Sequence, residues 1–480
     1  MRKYKNILFY TIVTGSFLLL MFWMVRLSKS LETNKVPTIV QSDINLLQVG
    51  LKSLLINLSN PLSILLLQTI AILIAARSFG FLFSKIRQPS VIGEVVAGIF
   101  LGPSVLGYLF PAYTNFLFPK NALPVLQLFS QLGLLLFMFV IGMELDLKVL
   151  KQKARAVIII SHAGIIIPYA LGVVLAYFIY KEYALPNINF LSFGLFIGIA
   201  MSITAFPVLA RILQERSMSR TRIGSMALAC AAVDDISAWS ILAVVISIVN
   251  AGSSYGALFT ILLTIVFILV MYKVIKPLLQ KITRVYTHTE NISLSVAAIM
   301  FGVLLVSSYL AEIIGIHALF GAFLAGVIMP SDVNFRRILT GKVEHVSLGL
   351  LLPLFFAFSG LRTQLGLLNT PHAWMICSAI TGIAILGKFG GSLFAAKFVG
   401  ETWKDSLILG ALINTRGLME LIVLNIGYEL GVLNAELFTM MVIMALVTTF
   451  MTGPALDLIG RFSKISAGNK SVPLHVNGEE

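Results

Sequence analysis

The chain alternates between stretches of about 20 mostly apolar residues, the length needed to cross a bilayer as helix, and short clusters of Lys, Arg, Gly and Asn. The stretches run approximately over 7 to 25, 61 to 83, 90 to 109, 125 to 146, 153 to 179, 190 to 214 and 222 to 249, and then over 254 to 279, 292 to 312, 315 to 330, 344 to 361, 374 to 397, 405 to 429 and 435 to 459. They predict about 14 helices and no strand. Two of them are interrupted at mid-depth. Ser202, Thr204 and Pro207 break one, and Asn414, Thr415, Arg416 and Gly417 break another.

Composition agrees with the pattern. Hydrophobic residues make up 58% of the chain and charged residues 12%, and the mean hydropathy is +0.95, more apolar surface than one soluble core can hide. The expected class is an all-α polytopic membrane protein. The net charge of +14 comes from Lys and Arg scattered between the apolar stretches, with no basic stripe of the kind that tracks nucleic acid, so no nucleic-acid partner is expected. Basic segments such as "LKVLKQKAR", "RILQERSMSRTR", "KVIKPLLQKITR", "FRRILTGK" and "RFSKIS" alternate with nearly uncharged ones such as "NAGSSYG" and "GYELGVLNAE". Roughly 25 of the 35 Lys and Arg then fall on one side, which the positive-inside rule assigns to the cytoplasm, together with both termini. "MRKYKN" before the first stretch also resembles a signal peptide, but no A-x-A-like cleavage site follows, and the stretch reads as an extra helix. An external linker over 26 to 60 would hold an interfacial helix, "INLLQVGLKSLLINL". Cys230 and Cys377 sit in apolar runs without metal-ligand spacing and read as packing residues.

The two halves echo one another. "VVAGIFLGPS" (95 to 104) resembles "AFLAGVIMPS" (322 to 331), and "LGLLLFMFVIGMELDL" (132 to 147) resembles "LGLLLPLFFAFSGLRT" (348 to 363). "SITAFPVL" (202 to 209) aligns with "INTRGLME" (413 to 420), all at offsets of roughly 210 to 230. Each first member crosses opposite to its partner, the signature of inverted repeats in secondary transporters, where paired interrupted helices mark a midplane ion site.

"CAAVDDISAW" places Asp234 and Asp235 near the centre of an apolar stretch. Each carboxylate there, ionised and unpaired, costs at least ~2.5–3.5 kcal/mol. Adjacent helical residues point about 100° apart, so the two acids face different surroundings. One can face a fixed cation such as Lys388, whose neighbouring glycines in "AILGKFGGSLF" admit a close helix; the other can face a water-filled cavity. The break at Thr204, Ala205, Phe206 and Pro207 frees carbonyls which, with the Ser202 and Thr204 hydroxyls and the two aspartates, offer oxygen ligands to a monovalent cation. Arg416 can compensate the negative ends of broken helices, with Glu420 at i,i+4 to hold it; a purely structural pair is the equally open reading.

The stretches "QPSVIGEVVAGIFLGPSVLG", "SITAFPVLARIL", "AAVDDISAW", "GIHALFGAFLAGVIMP" and "NTRGLMELIVLN" resemble the monovalent cation:proton antiporter-2 family, over about residues 61 to 460. The resemblance implies an inverted-repeat fold of 13 core helices with two crossed discontinuous helices, to which the first stretch would add one. It also implies a homodimer with a dimerisation domain and a moving core domain. It makes Asp235 the ion- and proton-binding carboxylate, Asp234 the first acid of the pair and Lys388 its partner. Thr204 to Pro207 and Asn414 to Gly417 become the unwound crossings. Asp234, where electroneutral relatives typically carry Asn, tilts toward electrogenic exchange.

The expectation from sequence is a secondary antiporter exchanging Na+ or K+ for H+, with the cations, protons and lipid bilayer as partners and no cofactor. Its parts are 1–60 (helix and linker), 61–460 (exchanger) and 461–480 (tail), with no nucleotide-binding domain of the Kef type, in a bacterial inner membrane. An intramembrane protease needs two acids on separate helices and a G-x-G-D run, which this chain does not offer, so no enzyme activity is expected. A cation channel or regulated K+ efflux pathway is the alternative kept open.

Overall fold

The computed structural model describes residues 2–28, 53–54, 56–58, 60–86, 88–144, 154–216, 218, 221–251, 254–286, 293–330 and 333–468. The chain divides into two units, Met1–Asn60 and Pro61–Glu480. In the first, Arg2–Ser28 forms one helix (α1) whose apolar side chains from Phe17 to Leu27 are exposed. The interfacial helix expected over 44 to 58 falls largely outside the described residues.

In the second unit every described element is helical. The order is α2 (Pro61–Lys85), α3 (Ser90–Leu101), α4 (Leu123–Glu144), α5 (Ala154–Tyr183), α6 (Phe190–Ser202), α7 (Phe206–Glu215) and α8 (Arg222–Ala251). Then come α9 (Ser254–Val270), α10 (Leu294–Ile314), α11 (Ala318–Ile328), α12 (Leu352–Arg362), α13 (Pro371–Ile385), α14 (Trp403–Ile413), α15 (Leu418–Glu429) and α16 (Ala435–Gly468). Wide i→i+5 turns at Met271–Ile275, Ser347–Leu351 and Leu386–Gly390 join α9 to Lys276–Tyr286, Val333–Val346 to α12, and α13 to Gly391–Phe398. Among the described residues 11 helices are long and apolar enough to cross a membrane, with Phe190–Ser202 and Ala318–Ile328 as shorter apolar helices.

Within the described residues each expected stretch is largely helical, the two interrupted ones as a pair of helices each, with one systematic difference. Several basic segments taken as connections are helical: Lys276–Tyr286, Val333–Val346 and the end of α16. Lys and Arg are good helix formers, so nothing ends the helix where it leaves the apolar layer. The short α6 and α11 are buried along most of their lengths, and neighbouring protein covers the surface that longer helices leave exposed.

The repeats match the packing. α3 packs on α12, and their repeat counterparts α11 and α4 pack on each other. Both contacts are built on facing glycines. A Cβ on Gly98 would lie 2.1 Å from the Ala357 carbonyl and one on Gly360 2.3 Å from that of Val95; for Gly142 and Gly326 the partners are the Phe323 and Phe139 carbonyls, each at 2.2 Å. Backbones approach this closely only where no side chain intervenes.

Candidate ion-binding site

The chain breaks leave helix ends without their usual partners, and the site consists of what satisfies them. α6 ends at Ser202, Ile203 takes an extended conformation (φ −71°, ψ 140°), and α7 begins at Phe206. The counterpart break lies between Ile413 and Leu418, where Gly417 adopts φ 143°, a value L side chains rarely take. The breaks bond to each other: Ala205 N–H donates to the Thr415 carbonyl (3.1 Å), and the Thr204 hydroxyl reaches the Ile413 carbonyl (3.3 Å).

The last three carbonyls of α6 receive cations. Arg416 donates to Ala200 O (3.0 Å) and Met201 O (2.5 Å), and Lys388 Nζ donates to Ser202 O. This is the negative end of a helix dipole compensated by fixed positive charge. Arg416 also donates to Glu420 Oε2 at 2.6 Å, with neither side chain exposed. The i,i+4 pair and the compensation of broken helix ends foreseen from sequence are therefore both present.

Lys388 occupies the middle of the wide turn Leu386–Gly390, fully buried. Gly387 and Gly391 allow that segment to pack against Pro168 and Ala163 of α5. Lys388 Nζ lies 3.2 Å from Asp234 Oδ2. Asp234 accepts two further bonds, from the Thr204 hydroxyl (2.6 Å) and from the Ser161 hydroxyl. A buried ion pair with its remaining lone pairs satisfied escapes most of the penalty that unpaired burial would impose.

Asp235 is placed differently, as its position one residue on requires. It accepts from the Phe206 backbone N–H at the positive end of α7, is 3% exposed, and its Oδ1 has no hydrogen-bond partner. Where the sequence suggests a water-filled cavity beside one of the acids, the structure buries Asp235, on α8, against the break at the start of α7. Two other buried oxygens share the condition: Asn414 Oδ1, in the counterpart break, and Ser392 Oγ are also without partners.

The sequence-derived residues therefore converge, with one difference in detail. Thr204 donates to Asp234, but the Ser202 hydroxyl, expected among the oxygen ligands, donates to Gly198 O in its own helix (2.7 Å), leaving its carbonyl to Lys388. Ser161 and Ser392 were not foreseen. Ser161 is a small polar residue in the apolar run of α5, and Ser392 lies one helical turn after Lys388, the only signals either offers in sequence.

A helical bundle with inverted halves, crossed chain breaks and a buried acid pair facing a lysine defines an ion-exchanger class of membrane protein. Residues 69–461 match the family model described as sodium/hydrogen exchanger, transmembrane, and the chain belongs to that family. It is 43% identical over 397 residues to the Na(+)/H(+) antiporter NhaS4 of Synechocystis, covering 82% of this chain and 97% of that protein. It is 40% identical to the cation/H(+) antiporter 17 of Arabidopsis thaliana and 35% to the K(+)/H(+) antiporter 1 of Saccharomyces cerevisiae. The alignments take in 83% and 84% of this chain but only 48% and 47% of those two proteins, so it spans about half their length. The fold is that of the sodium proton antiporter MjNhaP1 from Methanocaldococcus jannaschii, with TM-score 0.62 at 15% identity, covering 84% of this chain and all of that one.

Proposed function

We propose that this protein is a secondary active antiporter that exchanges Na+ or K+ for H+ across a membrane by alternating access, with Asp235 as the shared binding carboxylate. The observation that carries this is the contrast between the two acids. Asp234 has its charge and lone pairs satisfied by Lys388, Thr204 and Ser161, whereas Asp235 keeps one buried oxygen unpartnered at a helix N-terminus. A carboxylate oxygen in that condition is favoured by either a proton or a dehydrated cation, and the two exclude each other. Exclusion is coupling: the site crosses loaded with one or the other.

In this reading Asp234 and Lys388 tune the charge of the site, Arg416 and Glu420 hold the crossing in shape, and the Thr204 and Ser161 hydroxyls hold Asp234 in place. The exchanger unit is residues 61–460, with 1–60 and 461–480 as appendages. The cell membrane, cytoplasmic termini and a homodimer belong to the same proposal, supported by the loop charges and by family membership.

The test is cation-induced pH change inside proteoliposomes with Na+, K+ and Li+ in turn, for wild type and Asp235→Asn. The expected result is a saturable response whose apparent cation affinity falls as the proton concentration rises and which the substitution abolishes. A full response from Asp235→Asn sinks the assignment of the site. Cation flux that moves no protons would mean a channel instead.

A further inference from the structure

At the end of the bundle opposite the basic segments lies a cavity of about 530 Å³, lined in part by Lys120, Gln127, Arg362 and Tyr428. Beside it, a polar cluster joins α15 to α4 and α12. Glu429, in the last turn of α15, accepts from Gln127 Nε2 (2.8 Å), Gln131 Nε2 (3.2 Å) and Arg362 (3.0 Å). Arg362 also donates to Asn425 Oδ1 (2.8 Å) and lies over the rings of Phe358 and Tyr428. One turn deeper, Asn425 Nδ2 donates to the Ser359 hydroxyl of α12 (2.7 Å) and to Leu421 O in its own helix.

These contacts lie on a line that leads to the ion site. Positions 421, 425 and 429 follow one flank of α15, since residues four apart are neighbours on a helix, and Gly417 at its start belongs to the crossing. At 1.5 Å per residue, Glu429 is about 18 Å above Gly417. The cavity, the Glu429 cluster, the Asn425–Ser359 bond and the crossing thus follow one another along α15.

Alternating access requires that the buried site open to each side in turn, so a layer between cavity and site must part. The outer part of that layer is polar and two-tiered, while toward the crossing α15 buries apolar residues such as Leu421 and Ile422. Arg362 and Glu429 retain 14% and 27% of their side-chain exposure, and an ion pair that water can replace is worth roughly 0–1 kcal/mol. Amides and hydroxyls likewise exchange their bonds for water at small net cost. A seal made of such bonds holds the helices in register yet separates readily, which an interlocked apolar seal does not.

We infer that Glu429, with Gln127, Gln131, Arg362 and Asn425, forms a gate that closes the ion site toward the 530 Å³ vestibule and opens in every transport cycle. The inference rests on the antiport reading above. Glu429 is a positioning residue for α15 and takes no part in binding the transported ion at Asp235.

The experiment is a reversible lock. Gln127→Cys and Glu429→Cys are combined, reconstituted, and bridged with a short bis-methanethiosulfonate that dithiothreitol removes; Cys230 and Cys377 are both buried, and the single-cysteine variants control for them. The expected result is exchange that falls by roughly tenfold or more on bridging and returns on reduction, because a step every cycle needs is blocked. Full-rate exchange in the bridged protein overturns the gate while leaving the antiport reading intact, whereas wild type without exchange overturns both. Should the unbridged pair be inactive, Ser359→Cys provides the second readout. This buried thiol is expected to react with an impermeant reagent several-fold faster when Glu429→Ala is added, and an unchanged rate overturns the gate equally.

Discussion

Lys388 and Asp234 depend on each other in a way that can be measured. Removing one partner of a buried pair leaves the other uncompensated, a loss of about 3–5 kcal/mol, whereas removing both leaves polar atoms but no orphaned charge. Lys388→Met is therefore expected to lower thermal stability in detergent more than the double variant Asp234→Asn, Lys388→Met does. Additive losses would mean that the two side chains do not interact as drawn. Arg416 makes a different demand. Its fork serves two carbonyls of α6 and Glu420 at once, and a lysine, with one ammonium, cannot span them. Arg416→Lys should cost about 1–3 kcal/mol in the same melting assay through the acceptors it leaves buried. That both cations would sit near the acids was legible from their rarity in apolar stretches. That Lys388 also caps Ser202, and that Ser161 joins Asp234, was not, because a hydrogen bond across 73 or 186 residues leaves no local mark.

Among the elements, the broken helices and the glycine contacts carry the fold. Gly417 combines φ 143° with a Cβ position 3.1 Å from the Val208 side chain, so Gly417→Ala is expected to destabilise by about 1–3 kcal/mol and to slow exchange by displacing the crossing. Gly326→Ala should cost about as much through its clash with the Phe139 carbonyl, since overpacking must separate α4 from α11. Gly341 is the internal control: nothing lies within 4 Å of its Cβ position, it is helical, and alanine there should be neutral or stabilising by about 0.5–1 kcal/mol. Equal melting temperatures for Gly326→Ala and Gly341→Ala would refute the account of the close contact. The sequence marks both glycines alike, and only packing separates them. The i→i+5 turn that carries Lys388 is likewise invisible in the pattern, because its residues read as ordinary helix.

At the scale of the whole molecule, Met1–Asn60 and Pro61–Glu480 are separate units, and the family match begins at residue 69. A chain starting with Met before Pro61 is expected to insert, fold and exchange at close to the full-length rate in proteoliposomes. Loss of exchange despite correct folding would give the first unit a role in transport. The sequence by itself determined where the apolar helices lie and their order, the inverted pairing of the halves and the two interrupted segments, because lipid imposes a length and polarity rule that each segment obeys alone. It also singled out the acid pair, since charge is costly enough in an apolar stretch to announce itself. Only the tertiary structure decided which acid takes the lysine and which is left with a free oxygen, how Arg416 and Lys388 divide the end of α6, and where α15 meets α4 and α12. Those are contacts between segments far apart in the chain, set by helix rotation and by approach distances of an ångström or two, and no periodicity along a single segment encodes them.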